Sequence, residues 1–144
     1  MGLRFTDYQK YVLLSSWIPS NVVWVCSRST GKSFMSAPFI MARSLLMPSH
    51  NTYIMGPTGS QAQETFTKME NLAKNNIASV VGVSSFFLDE CVRINSKADP
   101  FTHDKSGFTV TLYNGSTVNT LNSVAKNIVG KILPSYSELR YIKV

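Results

Sequence analysis

The sequence has few cysteines, few histidines and no long apolar run. Its two cysteines, Cys26 and Cys91, give neither a disulfide framework nor the paired spacing of a zinc site, which favours a reducing compartment. Neither His50 nor His103 has a second histidine or a cysteine nearby, so we expect both in solvated loops. No stretch approaches the roughly 20 apolar residues of a membrane helix, and the N-terminus lacks the layout of a secretion signal. The sequence therefore predicts no membrane partner.

Acidic residues are also scarce. The 144-residue chain has 14 Lys and Arg against 8 Asp and Glu, a formal net charge of +6, and its 44% apolar content is that of a globular protein. Residues 1–50 and 105–144 each hold five basic residues and one acidic residue, whereas residues 51–104 hold four and six. Basic ends of this kind suit a polyanionic partner such as nucleic acid.

Apolar periodicity predicts that helices and strands alternate along the first 80 residues. The expected elements are a helix capped by Thr6 or Asp7 and stopped by Pro19, a buried strand at 21–26, a helix from about Lys32 to Met47, a buried strand at 52–57, and a helix capped by Ser60 with Gln63. The last helix is expected to run to about Ser79, with Phe66, Met69, Ala73 and Ile77 on one apolar face. This order predicts an α/β fold with a mostly parallel central sheet and helices on both faces.

The second half of the chain contains a predicted β-hairpin. Residues 107–113 and 116–121 alternate in polarity around Asn114-Gly115, a pair that suits the positive φ angles of a tight turn. We expect residues 89–106 to form a connecting loop. No linker or repeat divides the sequence, so residues 1–144 are interpreted as one unit.

The most informative motif is CSRSTGKS, residues 26–33, placed between the first predicted strand and the next helix. In a phosphate-binding loop, or P-loop, Gly31 lets the backbone approach phosphates, Lys32 reaches the β- and γ-phosphates, and the Ser33 hydroxyl binds Mg²⁺. Cys26 replaces the usual first glycine but is small enough for that bend. Arg28 places a guanidinium in the loop, where it can stabilise charge during phosphoryl transfer. The alternatives are a chance turn at a helix start and, for Arg28, a surface ion pair.

This loop resembles that of the large terminase subunits of tailed bacteriophages, the ATPases that package DNA, in which a small residue followed by Ser-Arg or Ala-Arg precedes Gly-Lys-Ser/Thr. RFTDYQKYVLL at 4–14 is similar to the family's adenine-recognising segment, and YIMGPTGSQAQETFTKM at 53–69 to its second strand and following helix. The hairpin and the Gly130 region also resemble it, although Val129 stands where arginine is frequent. The similarity covers nearly the whole chain.

The resemblance implies a P-loop NTPase core that binds ATP and Mg²⁺. By this resemblance Tyr8 and Gln9 would contact adenine, although Gln9 could be an ordinary exposed helix residue. Arg28 and Lys32 would be catalytic and Ser33 would hold the metal. The residues expected to cradle the phosphates are Ser27, Arg28, Ser29, Thr30, Gly31, Lys32 and Ser33.

ATP hydrolysis also needs a strand-end Asp-Glu pair, and its position is left open. Asp89 and Glu90 follow three apolar residues, but the family places this pair after the hairpin. The alternative is that RYIKV, 140–144, begins the missing strand and the carboxylates lie beyond Val144. The chain is therefore expected to be the N-terminal part of a terminase ATPase domain, an incomplete domain without the nuclease domain.

Three functions follow as expectations. The first is a DNA-packaging motor that acts on double-stranded DNA in the host cytoplasm, with the portal protein and small terminase subunit as partners and as a homo-oligomer when full length. The second is a fragment of a superfamily-2-type nucleic-acid helicase or translocase. The third is a truncated module that binds nucleotide or DNA without hydrolysis.

Overall fold

The computed structural model of the chain describes residues 4–19, 22–25, 27, 30–56, 58–74, 83–95, 97–122 and 140–143, which form a mixed α/β fold. The helices are α1 (Asp7–Ser15), α2 (Lys32–Leu46), α3 (Gly59–Lys74) and α4 (Val83–Glu90). The strands are β1 (Asn51–Gly56), β2 (Thr102–Asp104), β3 (Gly107–Thr111), β4 (Thr117–Asn122) and β5 (Arg140–Lys143). The predicted α/β class is therefore confirmed.

The five described strands form one sheet in the order β2-β3-β4-β1-β5. Strand β1 pairs in parallel with β4 and β5, whereas β3 is antiparallel to both β2 and β4. The described sheet is therefore mixed and not mostly parallel, because β3 forms one antiparallel pair in the hairpin and a second with β2. Strand β5 agrees with the interpretation of RYIKV as the beginning of a strand.

Helices α1 and α3 show which capping signals the chain uses. Thr6 caps α1 by accepting from the Gln9 backbone N–H at 3.3 Å, and the Gln9 side chain accepts from the Thr6 N–H at 3.1 Å, which completes a capping box. The Ser60 capping box is wrong, since α3 already begins at Gly59. The predicted apolar face of α3 is confirmed for Phe66, Met69 and Ala73, which are buried, whereas Ile77 lies outside the described residues.

Helices α2, α3 and α4 pack on the same face of the sheet and build one hydrophobic core. Its members include Ile40, Met41, Ile54, Phe66, Met69, Phe87, Val110 and Val118. On the opposite face Tyr53 and Leu121 are buried against Met55. These three helices thus cover one face, and the prediction of helices on both faces is not confirmed by the residues that the structure describes.

The strand predicted at 21–26 is not formed in its described part. Residues 22–25 belong to no strand, and Val23 and Val25 are 85% and 89% exposed. Trp24 instead packs edge-on against Phe39, with ring centroids 5.9 Å apart, and its Nε1 donates to the Ser16 hydroxyl at 2.7 Å. The tryptophan therefore fixes this segment against α2, a tertiary contact that overrides the strand preference of its neighbours.

The predicted hairpin is confirmed. Strands β3 and β4 pair through Thr109↔Asn119 and Val110↔Val118, and Gly115 supplies a φ of +84° in the turn. The loop predicted at 89–106 is wrong at both ends, because α4 extends to Glu90 and residues 102–104 form β2 on the edge of β3.

The two histidines depart from the predicted solvated loops in different ways, since His50 is not solvated and His103 is exposed but lies on a strand. His50 is buried, at 8% exposure. The Nε2 atom of His103, on β2, lies 2.7 Å from a carboxylate oxygen of Glu70 on α3. These contacts join residues far apart in sequence, so local pattern could not reveal them.

Candidate functional site

Helix α2 begins next to the glycine of the predicted phosphate-binding loop. Gly31 is the N-cap of α2 and adopts a left-handed conformation with φ +83°, which glycine tolerates better than any other residue. The Met35 N–H donates to the Gly31 carbonyl at 2.9 Å, so the helix begins directly after the glycine. The first turn of a helix presents N–H groups that the helix does not use, at the positive end of its dipole.

Side chains of the loop fold back onto its first described residue. The Thr30 hydroxyl donates to the Ser27 carbonyl at 2.7 Å, and Lys32 Nζ donates to the same carbonyl at 3.2 Å. Both contacts are exposed, so neither is protected from an incoming ligand. The ammonium group of Lys32 therefore lies over the loop at the helix start.

A cavity of about 500 Å³ opens beside this loop. The loop and the start of α2 supply one wall, which consists of Ser27, Thr30, Gly31, Lys32, Ser33 and Phe34. Helix α3 supplies the facing wall through Lys68, Asn71 and Leu72. The volume falls within the range of about 300–1,000 Å³ typical of ligand pockets. The structure thus brings the described P-loop residues together around one concave space.

The α3 wall was not predicted from the sequence. The helical period correctly assigned Phe66, Met69 and Ala73 to the core, but it left the role of the neighbouring stripe undefined. Lys68, Asn71 and Leu72 follow the i, i+3, i+4 spacing of a single helix face. Their position beside the loop depends on how α3 packs on α2, which no local signal encodes.

Of the two residues predicted to contact adenine, Gln9 lies close to the loop and Tyr8 lies at the surface. A Cβ built on Gly31 would meet Gln9 Nε2 at 3.1 Å, so the Gln9 side chain packs against the glycine while it caps α1. Tyr8 is 52% exposed. Neither residue is among those that line the cavity as the structure describes it. Their predicted contact with adenine stays a prediction.

Three residues of the predicted loop, Cys26, Arg28 and Ser29, lie outside the described residues. The role of Arg28 as a catalytic guanidinium therefore stays a prediction. Ser33 lines the cavity at the second position of α2, where a hydroxyl can face a phosphate-bound cation. Within the described ranges, no group of three or more His, Cys, Asp or Glu residues could hold a metal ion.

The Asp-Glu pair at 89–90 does not follow a strand. Both residues belong to the last turn of α4, so the interpretation of FFLDEC as a strand end is wrong. Residues of a helix end cannot present carboxylates as the end of a central parallel strand does. Neither carboxylate borders the cavity in the part of the chain that the structure describes.

The cavity borders an ion pair on the α3 side. Lys68 Nζ lies 2.7 Å from the Glu64 carboxylate, one turn earlier on the helix. This hydrogen bond and the charge of Lys68 hold the pKa of Glu64 below its ordinary value. Both side chains are exposed, at 43% and 65%, so water screens their attraction.

A comparison with protein-family models found no match, and a comparison with curated protein sequences found none either. Across the described helices, none combines the length and the apolar character that crossing a bilayer requires.

Proposed function

We propose that the chain is the ATP-binding part of a P-loop NTPase, with the phosphates bound at the start of α2. The observation that carries this proposal is the left-handed Gly31 at the N-cap, followed at once by Lys32 and Ser33 on the wall of a 500 Å³ cavity. A glycine at this position lets the backbone come close to phosphate oxygens, at the end of the helix that favours negative charge.

The residues that line the cavity suit a nucleoside triphosphate. Lys32 and Lys68 supply positive charge, and the hydroxyls of Thr30 and Ser33 supply hydrogen-bond partners. Phe34 offers an apolar surface. Mg²⁺ commonly keeps several waters and binds through few protein groups together with substrate phosphates, so Ser33 would hold it only when nucleotide is bound.

In the complete protein, we propose that ATP hydrolysis drives packaging of double-stranded DNA in the host cytoplasm. The support is the similarity of the loop to terminase large subunits and the basic charge of both ends of the sequence. Opening and closing of the loop around the nucleotide would be the moving step, with the portal protein, small terminase subunit and further copies of the chain as partners.

A second candidate is a nucleotide-binding module that does not hydrolyse ATP. It is favoured by the composition of the cavity wall, which holds no carboxylate among the described residues. Asp89 and Glu90, the nearest sequence candidate, are on a helix instead. Without a carboxylate to orient water, nucleotide would bind but turn over little.

Isothermal titration calorimetry with ATP and Mg²⁺ tests the proposal. Lys32→Ala should weaken binding by about 10- to 100-fold, the loss of one charge-assisted contact worth about 1.5–3 kcal/mol. Lys105→Ala, which removes an exposed lysine in the turn between β2 and β3, should leave the affinity unchanged. Equal binding by Lys32→Ala and the unaltered chain, or no binding by either, would contradict the phosphate site.

Phosphate release, measured on this chain and on a protein that extends past Val144, separates the two candidates. Turnover that double-stranded DNA stimulates and Lys32→Ala abolishes would support the motor. Binding without turnover by both proteins would support the module.

A further inference from the structure

The wall of the cavity that α3 supplies carries its own chemistry. Lys68 and Asn71 lie one turn apart on the same helix face and border the same space as Lys32. An ammonium group and a side-chain amide both donate hydrogen bonds, and oxygens of a phosphate accept them. If the loop alone bound the ligand, the Lys68 ammonium and the Asn71 amide would border the ligand without donating hydrogen bonds to it.

The partner that now holds Lys68 is easily displaced. Glu64 lies on the same exposed face of α3, and an exposed pair four residues apart contributes little to the stability of a helix. A polyphosphate carries more charge than one carboxylate and would sit in a partly enclosed space, where screening by water is weaker. Exchange of Glu64 for phosphate therefore favours the bound state.

We propose that Lys68 and Asn71 form a second phosphate-binding wall, so that α2 and α3 hold the polyphosphate of the nucleotide from two sides. This inference rests on the proposed nucleotide site and adds to it the residues that recognise charge opposite the loop. Lys68 leaves Glu64 when the ligand enters, and Asn71 donates its amide to a phosphate oxygen. The ligand class is a nucleoside polyphosphate, with affinity that rises with the number of phosphates.

The test compares the affinities of ATP, ADP and AMP, measured by calorimetry, for the unaltered chain and for matched α3 variants. Lys68→Gln removes the charge but keeps a long polar side chain, and it should weaken ATP about tenfold while it changes AMP little. Lys68→Arg keeps the charge and should retain most of the affinity. Asn71→Asp places a negative charge in the cavity and should also weaken ATP at least tenfold.

Two further variants separate a contact from a general charge effect. Glu64→Gln frees Lys68 from its partner and should leave ATP affinity equal or raise it by up to about threefold, the expected size of a lost exposed ion pair. Lys105→Gln changes the net charge by the same amount as Lys68→Gln, at an exposed turn. It should not change the ATP affinity. Thermal melts followed by circular dichroism confirm that each variant folds.

The outcomes keep this inference apart from the proposed function. If ATP binds and Lys32→Ala weakens it, but Lys68→Gln and Asn71→Asp bind as tightly as the unaltered chain, the second wall is wrong and the loop site stands. If loss of affinity in Lys68→Gln is matched by Lys105→Gln, the effect is one of net charge and the second wall is again wrong. Absence of ATP binding by the unaltered chain would overturn both.

Discussion

The left-handed conformation of Gly31 can be tested by substitution, with Gly115 as a control position in the same chain. Two glycines of the chain have nearly the same backbone, Gly31 with φ +83° and Gly115 with φ +84°. Their surroundings also correspond, since an added Cβ would lie 3.1 Å from Gln9 Nε2 in one case and 3.2 Å from the Ser49 hydroxyl in the other. Alanine at either position therefore introduces similar strain, but only Gly31 borders the cavity.

The expected loss of stability is about 1 kcal/mol for each variant. A left-handed conformation costs a residue with a Cβ roughly 1–2 kcal/mol. Alanine also restricts the unfolded chain, which returns about 0.4–1 kcal/mol. The neighbour in each case is the end of a flexible side chain, so a shift of a few tenths of an ångström relieves the close contact.

Urea unfolding followed by circular dichroism measures both changes, and calorimetry measures ATP affinity in native buffer. Gly31→Ala and Gly115→Ala should lose similar stability, while only Gly31→Ala should lose ATP affinity. Gly31→Asn should recover part of the stability, because asparagine tolerates the left-handed region. If Gly31→Ala is as stable as the unaltered chain while Gly115→Ala is not, the left-handed N-cap is wrong and with it the geometric basis of the phosphate site.

Three further predictions concern the core and its charges. Phe66→Ala should reduce the free energy of unfolding by about 3–5 kcal/mol, because Phe66 is fully buried and packs edge-on against Phe101 and Phe108. Urea unfolding measures this change, and a loss below about 1 kcal/mol would contradict the packing of α3. Burial raises the pKa of the Cys91 thiol to about 12, so a thiol reagent at pH 8 should modify the peptide that contains Cys91 only after denaturant is added, as mass spectrometry would show. Burial alone would raise the pKa of Asp99, but the hydrogen bonds from Lys74 and the Phe101 N–H outweigh it and lower that pKa. The ionised Asp99 therefore contributes to stability above about pH 4, and this contribution is lost as the pH falls through the lower pKa of the folded state. The drop in melting temperature on acidification should accordingly be smaller in Asp99→Asn than in the unaltered chain.

Local signals predicted the elements whose stability is local. Thr6 was predicted as a possible cap of α1, although its partner Gln9 was not, and Asn114-Gly115 marks a turn in which Gly115 adopts the predicted positive φ. The inward stripe of α3 was predicted for the same reason, since a period of 3.6 residues leaves few choices for a half-buried helix.

The strand at 21–26 was predicted wrongly in its described part, because strand preference does not decide against which surface these side chains pack. Val23, Trp24 and Val25 have high strand preference, yet Trp24 finds an aromatic partner in Phe39 on the neighbouring helix, and Arg43 lies over the same ring at 5.6 Å. Strand preference mainly measures how side chains fit a pleated, half-buried surface. The sequence alone cannot show whether these side chains will pack in a sheet or against a helix such as α2.

Strand β2 was missed for the opposite reason. Its three residues are exposed and polar and carry no apolar signal, so they pair only because β3 offers an open edge. The same limit applied to the candidate site. The Gly31–Ser33 wall could be identified from its motif, whereas the Lys68 wall required the packing of α3.

We expect the cavity wall that α3 supplies to be rigid. The face that carries Phe66 is buried in the core, and Glu70, only 7% exposed, contacts both Lys74 and His103. A rotation of the helix toward a ligand would disturb the packing of Phe66 and break the contact of Glu70 with His103 on β2, at a cost above that of moving one exposed lysine side chain. We therefore expect ligand entry to move the side chain of Lys68 but not the α3 backbone. Differences in affinity among Lys68 variants then report on the contact with phosphate itself, because no backbone rearrangement contributes to them.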